Sequence, residues 1–308
     1  RIEDLQVEPR RARTQTILRR LFFISAATAI LITVGIIWAL FWDSLTFLTS
    51  VTLEQLFDGA WLPRSYRYDI PSLLIGTTVI SLIGMIVAVP LGLGAAIYLA
   101  EYASPRLRGT LKPILEILAA IPSVVLGFFA LTVLSPSIIA PICEFASGYA
   151  PSPFNMASAG VAVGILITPL VASISEDALY AVPDSLREAS YGLGARKRTT
   201  TLRVVFPAAV SGIVAAMIIG LSRAIGETMI VSIAAGGVGA GSRNLDPCLP
   251  GQTMTAAMVS LAIGSDQATT GPQYSSLFFV GLLLFLLTLG LNLVSESYVR
   301  RMRGKGAI

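Results

Sequence analysis

The stretch LFFISAATAILITVGIIWALFW, Leu21–Trp42, runs for 22 residues without an Asp, Glu, Lys or Arg. At 1.5 Å of rise per residue, about 20 such residues carry a helix through the roughly 30 Å of hydrocarbon in a bilayer. Arg19 and Arg20 precede it as they would the core of a secretion signal, but no small-residue cleavage site follows, so it reads as a retained spanning helix. Five further stretches meet the same criterion: Pro71–Ala100, Ile114–Leu134, Ala157–Ile174, Pro207–Ile233 and Leu277–Val294. The second and fifth of the six exceed one membrane thickness, which demands tilt or a bend, and Pro90 is a candidate kink.

Composition points the same way. Of 308 residues 54% are hydrophobic and only 13% charged, with a mean hydropathy of +0.76. A chain this apolar does not stay disordered, and two cysteines do not make a disulfide scaffold. The fold class is therefore all-α, a polytopic membrane helical bundle of about six helices. Histidine is absent, which removes the commonest metal ligand and the side chain best suited to proton transfer near neutrality. No nucleophile and base stand in a recognisable arrangement either, so an intramembrane enzyme finds no support.

The cations follow topology. Of the 22 Lys and Arg, eighteen fall in the N-terminal tail (1–20), the segment Glu101–Pro113, the loop Ser175–Phe206 and the C-terminal tail (295–308). The alternate loops hold Arg64, Arg67 and Arg243, and Arg223 lies within a span. The excess of positive charge on one side places both termini in the cytoplasm, and it accounts for the net charge of +4 without nucleic acid as a partner. The loops 43–70 and 234–276, the latter holding Cys248, then lie outside, as does Cys143 between the third and fourth spans; an oxidising exterior permits a disulfide, with two free thiols as the alternative. Within 234–276 the apolar piece Thr253–Gly264 is too short to span and reads as a lying or re-entrant helix. Gly236, Gly237, Gly239 and Gly241 lack the strand and helix context of a phosphate cradle and read as loop.

The loop 175–206 is too long for a connector and has its own pattern. Asp184 can cap a helix, Leu186, Ala189 and Leu193 recur at helical spacing, Gly194 offers a left-handed stop, and Ala195–Val205 can resume as a helix into Pro207. A short helix across the cytoplasmic face suits a grip for a soluble subunit; an amphipathic helix resting on lipid headgroups is the alternative. The order Glu188, Ala189, Ser190, Gly194, Val204, Phe206, Pro207 resembles the EAA loop of ABC importer permeases, with Ser190 where that pattern has a second alanine. The resemblance implies a coupling helix that docks on a separate ATPase. No Walker A sequence occurs, and Gly304–Lys305 is followed by Gly306, so ATP and magnesium are expected on the partner and no cofactor in this chain.

The fifth span contains Arg223 and Glu227, four residues apart and thus on one helical face. Each ionised group at membrane depth costs about 2.5–3.5 kcal/mol on insertion scales, so neither belongs against lipid. A salt bridge locking the helix to a neighbour is one reading. An anion path is the other: guanidinium presents a planar fork of five donors to an oxyanion, and Glu227 can orient it or accept a proton from a phosphate oxygen.

The runs Phe206–Val214 and Ser222–Met229, with Ala119–Gly127 and Glu101–Tyr102, resemble phosphate-specific transporter permeases of the PstC type over essentially the whole chain. That resemblance implies the ABC type I importer permease (MetI-like) architecture, with Leu21–Trp42 outside a five-helix core over 71–294, in the bacterial inner membrane. It also implies inorganic phosphate as cargo, a heterodimer with a PstA-type permease, a homodimeric PstB-type ATPase and an external phosphate-binding protein, and it links Arg223 and Glu227 to phosphate passage. Another oxyanion (sulfate, molybdate, phosphonate) or an ion-gradient-driven carrier remains the alternative. Gly160 and Gly164 read as close helix packing, Gly92 and Gly94 beside Pro90 as a bend, and Glu116 as an interfacial charge.

Overall fold

A computed structural model describes residues 9–236, 242–264 and 267–305; residues 1–8, 306–308 and Gly237, Gly239 and Gly241 of the glycine run lie outside the described residues. Among the described residues six helical segments are long and apolar enough to cross a membrane: Gln15–Ser50, Ile70–Tyr102, Ser123–Ala146, Met156–Tyr180, Lys197–Ile225 and Gly271–Ser297. The first is part of α1 (Pro9–Ser50), which packs against the last, α12 (Gly271–Lys305), and buries Ser44 and Phe47 near its end while most of its spanning stretch is exposed. The centre consists of α2 (Ile70–Ile97), α6 (Met156–Tyr180) and α9 (Phe206–Ile225).

Small residues set the centre. A Cβ on Gly164 would lie 2.7 Å from the Gly84 carbonyl oxygen and from Val87 Cβ, and one on Gly160 would lie 2.7 Å from Ile83 Cβ. With no side chain between them the backbones of α2 and α6 meet directly, which gains dispersion where lipid gives no hydrophobic drive for association. Gly92 serves the same contact, 2.9 Å from Val171 Cγ1 for an added Cβ, whereas Gly94 faces open space. α2 continues through Pro90 without interruption of the helix. Ile80, Ala88, Val163, Ile167, Val171 and Ala224 fill the buried core between α2, α6 and α9.

Two expected spans are divided. The stretch from Ile114 does not cross as one helix: α3 (Pro105–Leu118) is separate, Ala119–Pro122 turn, and the span starts at α4 (Ser123–Phe129). Pro122 cannot donate to a helix and disfavours helical geometry at Ile121. α3 is amphipathic and buries no residue in this chain. The span then continues through a π-helical turn into α5 (Ala140–Ser147). The stretch Pro207–Ile233 is likewise broken, because α9 ends at Ile225 and α10 (Met229–Ala234) begins only after Gly226–Thr228.

The loop 175–206 is shorter than its sequence suggested, since α6 reaches Tyr180 and the next spanning segment begins at Lys197 with α8 (Lys197–Thr200). Between them lies α7 (Asp184–Gly192). Asp184 does not cap it: Pro183 holds the cap position, Asp184 is the first helical residue, and its Oδ1 accepts from Arg187 Nη1 at 3.1 Å. A π-helical turn, Thr201–Val205, precedes Pro207, whose missing N–H is thereby accommodated without ending the helix.

At the opposite end, Trp61–Leu62 (β1) pairs antiparallel with Arg67–Tyr68 (β2), and Trp61, Tyr68 and Phe47 make a buried aromatic cluster. The piece Thr253–Gly264 forms α11 (Met254–Ala262), a helix that re-enters the bundle. Met254 N–H donates to Thr77 Oγ1 at 3.0 Å, and the Gln252 carbonyl lies where a Cβ of Gly76 would be. Thr77 is seven residues into α2, so α11 starts about 10 Å below that end of the bundle.

Candidate functional site

The break in the fifth span lies deep in the bundle. Asn155 N–H, one residue before α6, bonds the Ala234 carbonyl, which puts Ala234 level with the disulfide-bearing end. Thr255, next to the Met254 that meets Thr77 about 10 Å inside α2, bonds Glu227 and so sets it at a similar depth, with Arg223 about one helical turn deeper, near the middle of a hydrocarbon layer roughly 30 Å thick. Unwound backbone at such depth survives only where its polar groups find partners inside the protein. They do: Thr255 Oγ1 of the re-entrant helix donates to the Glu227 carbonyl at 2.6 Å, and Thr228 Oγ1 donates to the Gly226 carbonyl at 3.2 Å.

The break also separates the two charges. Glu227 is 4% exposed, with its Oε1 facing the Ile230 N–H at 3.5 Å, whereas Arg223 is exposed on the surface of α9. Among the described residues no ion pair joins them. The expectation of one shared helical face fails because the helix does not continue past Ile225. A guanidinium at mid-depth with neither burial nor an ion-pair partner requires water, an anion or another subunit beside it. Its neighbour Ser222 donates to Asn292 Oδ1 at 3.2 Å, which ties α9 to α12 just beside the cation.

At the other end α7 stands clear of the bundle. Glu188 and Ala189 are exposed, and Leu193, which recurs at helical spacing with Leu186 and Ala189, is 90% exposed. Leu186 alone of that series packs inward, against Ala96, Leu179, Val205 and Ile213. Gly194 adopts φ +78°, its N–H bonding the Tyr191 carbonyl while Ala195 N–H bonds the Ser190 carbonyl. This is a Schellman ending, which a residue with Cβ adopts only with strain. The Ser190 hydroxyl lies 2.9 Å from Thr200 Oγ1, fastening α7 to α8, so the residue that departs from the alanine pattern adds a bond.

Three groups of ion pairs carry no signal in the sequence because their partners lie far apart in the chain. Arg187 of α7 reaches Glu101 at 2.9 Å. Lys112 of α3 reaches Glu176 at 2.7 Å and Asp177 at 2.8 Å, with Arg108 also on Glu176; the bonds to Asp177 and Glu176 hold the Lys112 ammonium above its ordinary pKa. Arg243 reaches Asp69 at 2.7 Å at the disulfide end. Cys143 and Cys248 are joined by a disulfide closing 105 residues, which anchors the segment leading into α11 to the end of α5.

Residues 88–304 match the family described as binding-protein-dependent transport system inner membrane component. The phosphate transport system permease protein PstC of Pasteurella multocida is 30% identical over 277 residues, covering 86% of this chain and 84% of that protein. PstC 1 of Mycobacterium tuberculosis is 32% identical over 259 residues, covering 80% and 76%. Among solved structures, a bacterial alginate ABC transporter in complex with its pentasaccharide-bound periplasmic protein superposes with a TM-score of 0.64 at 15% identity, over 94% of this chain and 97% of that one. The MetNI methionine ABC transporter in an inward-facing conformation gives 0.52 at 20% identity, over 81% and 96%. At such identities the likeness shows the fold, that of ABC type I importer permeases.

Proposed function

We propose that this chain, which belongs to the family of binding-protein-dependent transport system inner membrane components, is the permease subunit of an ATP-driven importer of inorganic phosphate. It is a multi-pass inner-membrane protein and a transport subunit rather than an enzyme. The observation that carries the reading is the exposed Arg223 at mid-depth beside a break in its span. The relatives named for phosphate transport supply the cargo.

In this reading the end bearing α7 is cytoplasmic, as the distribution of Lys and Arg demands, and both termini lie there. A PstB-type ATPase homodimer, holding ATP and magnesium, grips Glu188, Ala189 and Leu193 around the rigid turn at Gly194. A PstA-type permease covers the Arg223 face and completes the path, and an external phosphate-binding protein delivers cargo to the disulfide end. ATP-driven closure moves α7, and the bundle turns so that the Arg223 cavity faces outwards, then inwards. The Arg223 fork donates to the phosphate oxygens. Glu227 accepts a hydrogen bond from the P–O–H group that hydrogen phosphate carries and sulfate lacks, which selects between the two.

The test is phosphate uptake by the reconstituted importer carrying Arg223→Gln. Loss of a bidentate, charge-assisted contact predicts uptake reduced at least about a hundredfold, with assembly intact. Undiminished uptake would reduce Arg223 to a packing feature, and equal competition by sulfate would remove the role given to Glu227.

A further inference from the structure

The short helix α7 touches the bundle through few side chains, and one of them binds three elements at once. Arg187 is 14% exposed at its side chain and Glu101, in the π-helical turn Tyr98–Tyr102 that extends α2, only 3%. Nε and Nη2 of Arg187 donate to Glu101 Oε1 at 3.1 and 2.9 Å. Nη2 also donates to the Leu179 carbonyl at the end of α6 at 2.9 Å, and Nη1 donates to the Val182 carbonyl at 2.5 Å and to Asp184 Oδ1 at 3.1 Å. The guanidinium thus fastens α7 to α2, to α6 and to the turn between α6 and itself.

We propose that Arg187 and Glu101 form the strut through which displacement of α7 reaches the transmembrane helices, making Arg187 a positioning residue for transport. This rests on the coupling role given to α7 above. The remaining anchors transmit less: Leu186 makes an apolar contact, which has no preferred direction, and Ser190 ties α7 only to its own neighbour α8. A planar fork held at five positions does not swivel, so a force on α7 pulls the ends of α2 and α6 together. Those two helices are interlocked further along, where Gly92 meets Val171. Val171 in turn lies against Gly220 of α9, 2.9 Å from the site of an added Cβ, three residues before Arg223. The strut therefore leads by direct contacts to the helix that carries the mid-depth cation.

Two measurements test this separately. The first is amide hydrogen exchange over Asp184–Gly192 in the chain alone, in lipid nanodiscs. Glu101→Ala and Arg187→Lys, whose single ammonium does not span the carboxylate and both carbonyls, should each speed exchange about tenfold, since bonds to charged groups are lost. Glu101→Gln, which keeps an acceptor without the charge, should fall between and covers the case in which the alanine variant does not fold. The second is phosphate imported per ATP hydrolysed in the reconstituted importer, with ATPase co-purification recorded alongside. The variants should assemble but import at least about fivefold less per ATP, and Glu101→Ala combined with Arg187→Lys should be no worse than the poorer single variant. Unchanged exchange, an unchanged import ratio, or additive losses would each overturn the strut. If the unaltered importer carries no phosphate with ATP, the functional reading fails, while the exchange measurement still decides whether the pair fixes α7.

Discussion

Truncation of Leu193 to alanine separates the fold of this chain from its grip on a partner. Leu193 is 90% exposed and sits immediately before the Gly194 turn, so removing its isopropyl group leaves no cavity in the chain. A surface change of this kind alters stability by no more than about 0.5 kcal/mol. If an ATPase groove receives α7, the same side chain is buried there. At about 0.8 kcal/mol per buried methylene, truncation then costs about 2 kcal/mol of binding. A loss of that size weakens association about thirtyfold. Affinity is measured by titrating labelled ATPase onto the chain with its partner permease in nanodiscs, and stability by thermal unfolding of the free chain. Unweakened association of the variant would refute docking through this turn. A fall in unfolding temperature with unchanged affinity would place Leu193 in an intramolecular contact that the structure does not show.

Packing and pH supply two more expectations. Gly164→Ala sets a methyl group 2.7 Å from the Gly84 carbonyl oxygen, which should cost about 1–3 kcal/mol, whereas Gly94→Ala meets nothing within 4 Å and should be neutral or stabilising by up to about 1 kcal/mol; thermal unfolding of the two variants compares them, and equal effects would deny the α2–α6 contact. Asp69 is buried, which on its own raises the carboxyl pKa, but the bond from Arg243 and the N–H groups of Gly59 and Ser72 outweigh burial and hold it below its ordinary value. A depressed folded pKa contributes stability that is complete above the unfolded value of about 3.9 and is lost as pH falls through the folded one. Proteolysis or exchange of the hairpin over residues 59–69 should therefore accelerate only in acid below about pH 4, and Asp69→Asn should flatten that dependence; an identical acid profile in the variant would contradict the assignment.

The spans were legible because apolar length is a local property, and α7 because a proline, a helical spacing and a glycine frame it within a dozen residues. Their interruptions were harder to read. Ala119–Pro122 and Gly226–Thr228 are short breaks inside apolar runs, and Glu227 lies off the face of Arg223 because Thr255, from a segment well along the chain, satisfies the carbonyl that unwinding frees. Of Leu186, Ala189 and Leu193, which share helical spacing, only Leu186 packs inward, because spacing reports a face and not which neighbours occupy it. The pairs Glu101–Arg187, Glu176–Lys112 and Asp69–Arg243 bridge elements brought together only by folding, and single-sequence periodicity carries no signal for them. One trace was available: each buried carboxylate lies at the end of an apolar run, where an ionised group needs a partner.

The most direct test is uptake of radiolabelled phosphate by vesicles containing this chain with a PstA-type permease and a PstB-type ATPase, loaded with the binding protein, with and without ATP inside the compartment that the ATPase faces. The account predicts accumulation that requires ATP and stops when the ATPase is omitted. Phosphate carried by this chain alone under a proton gradient would contradict it.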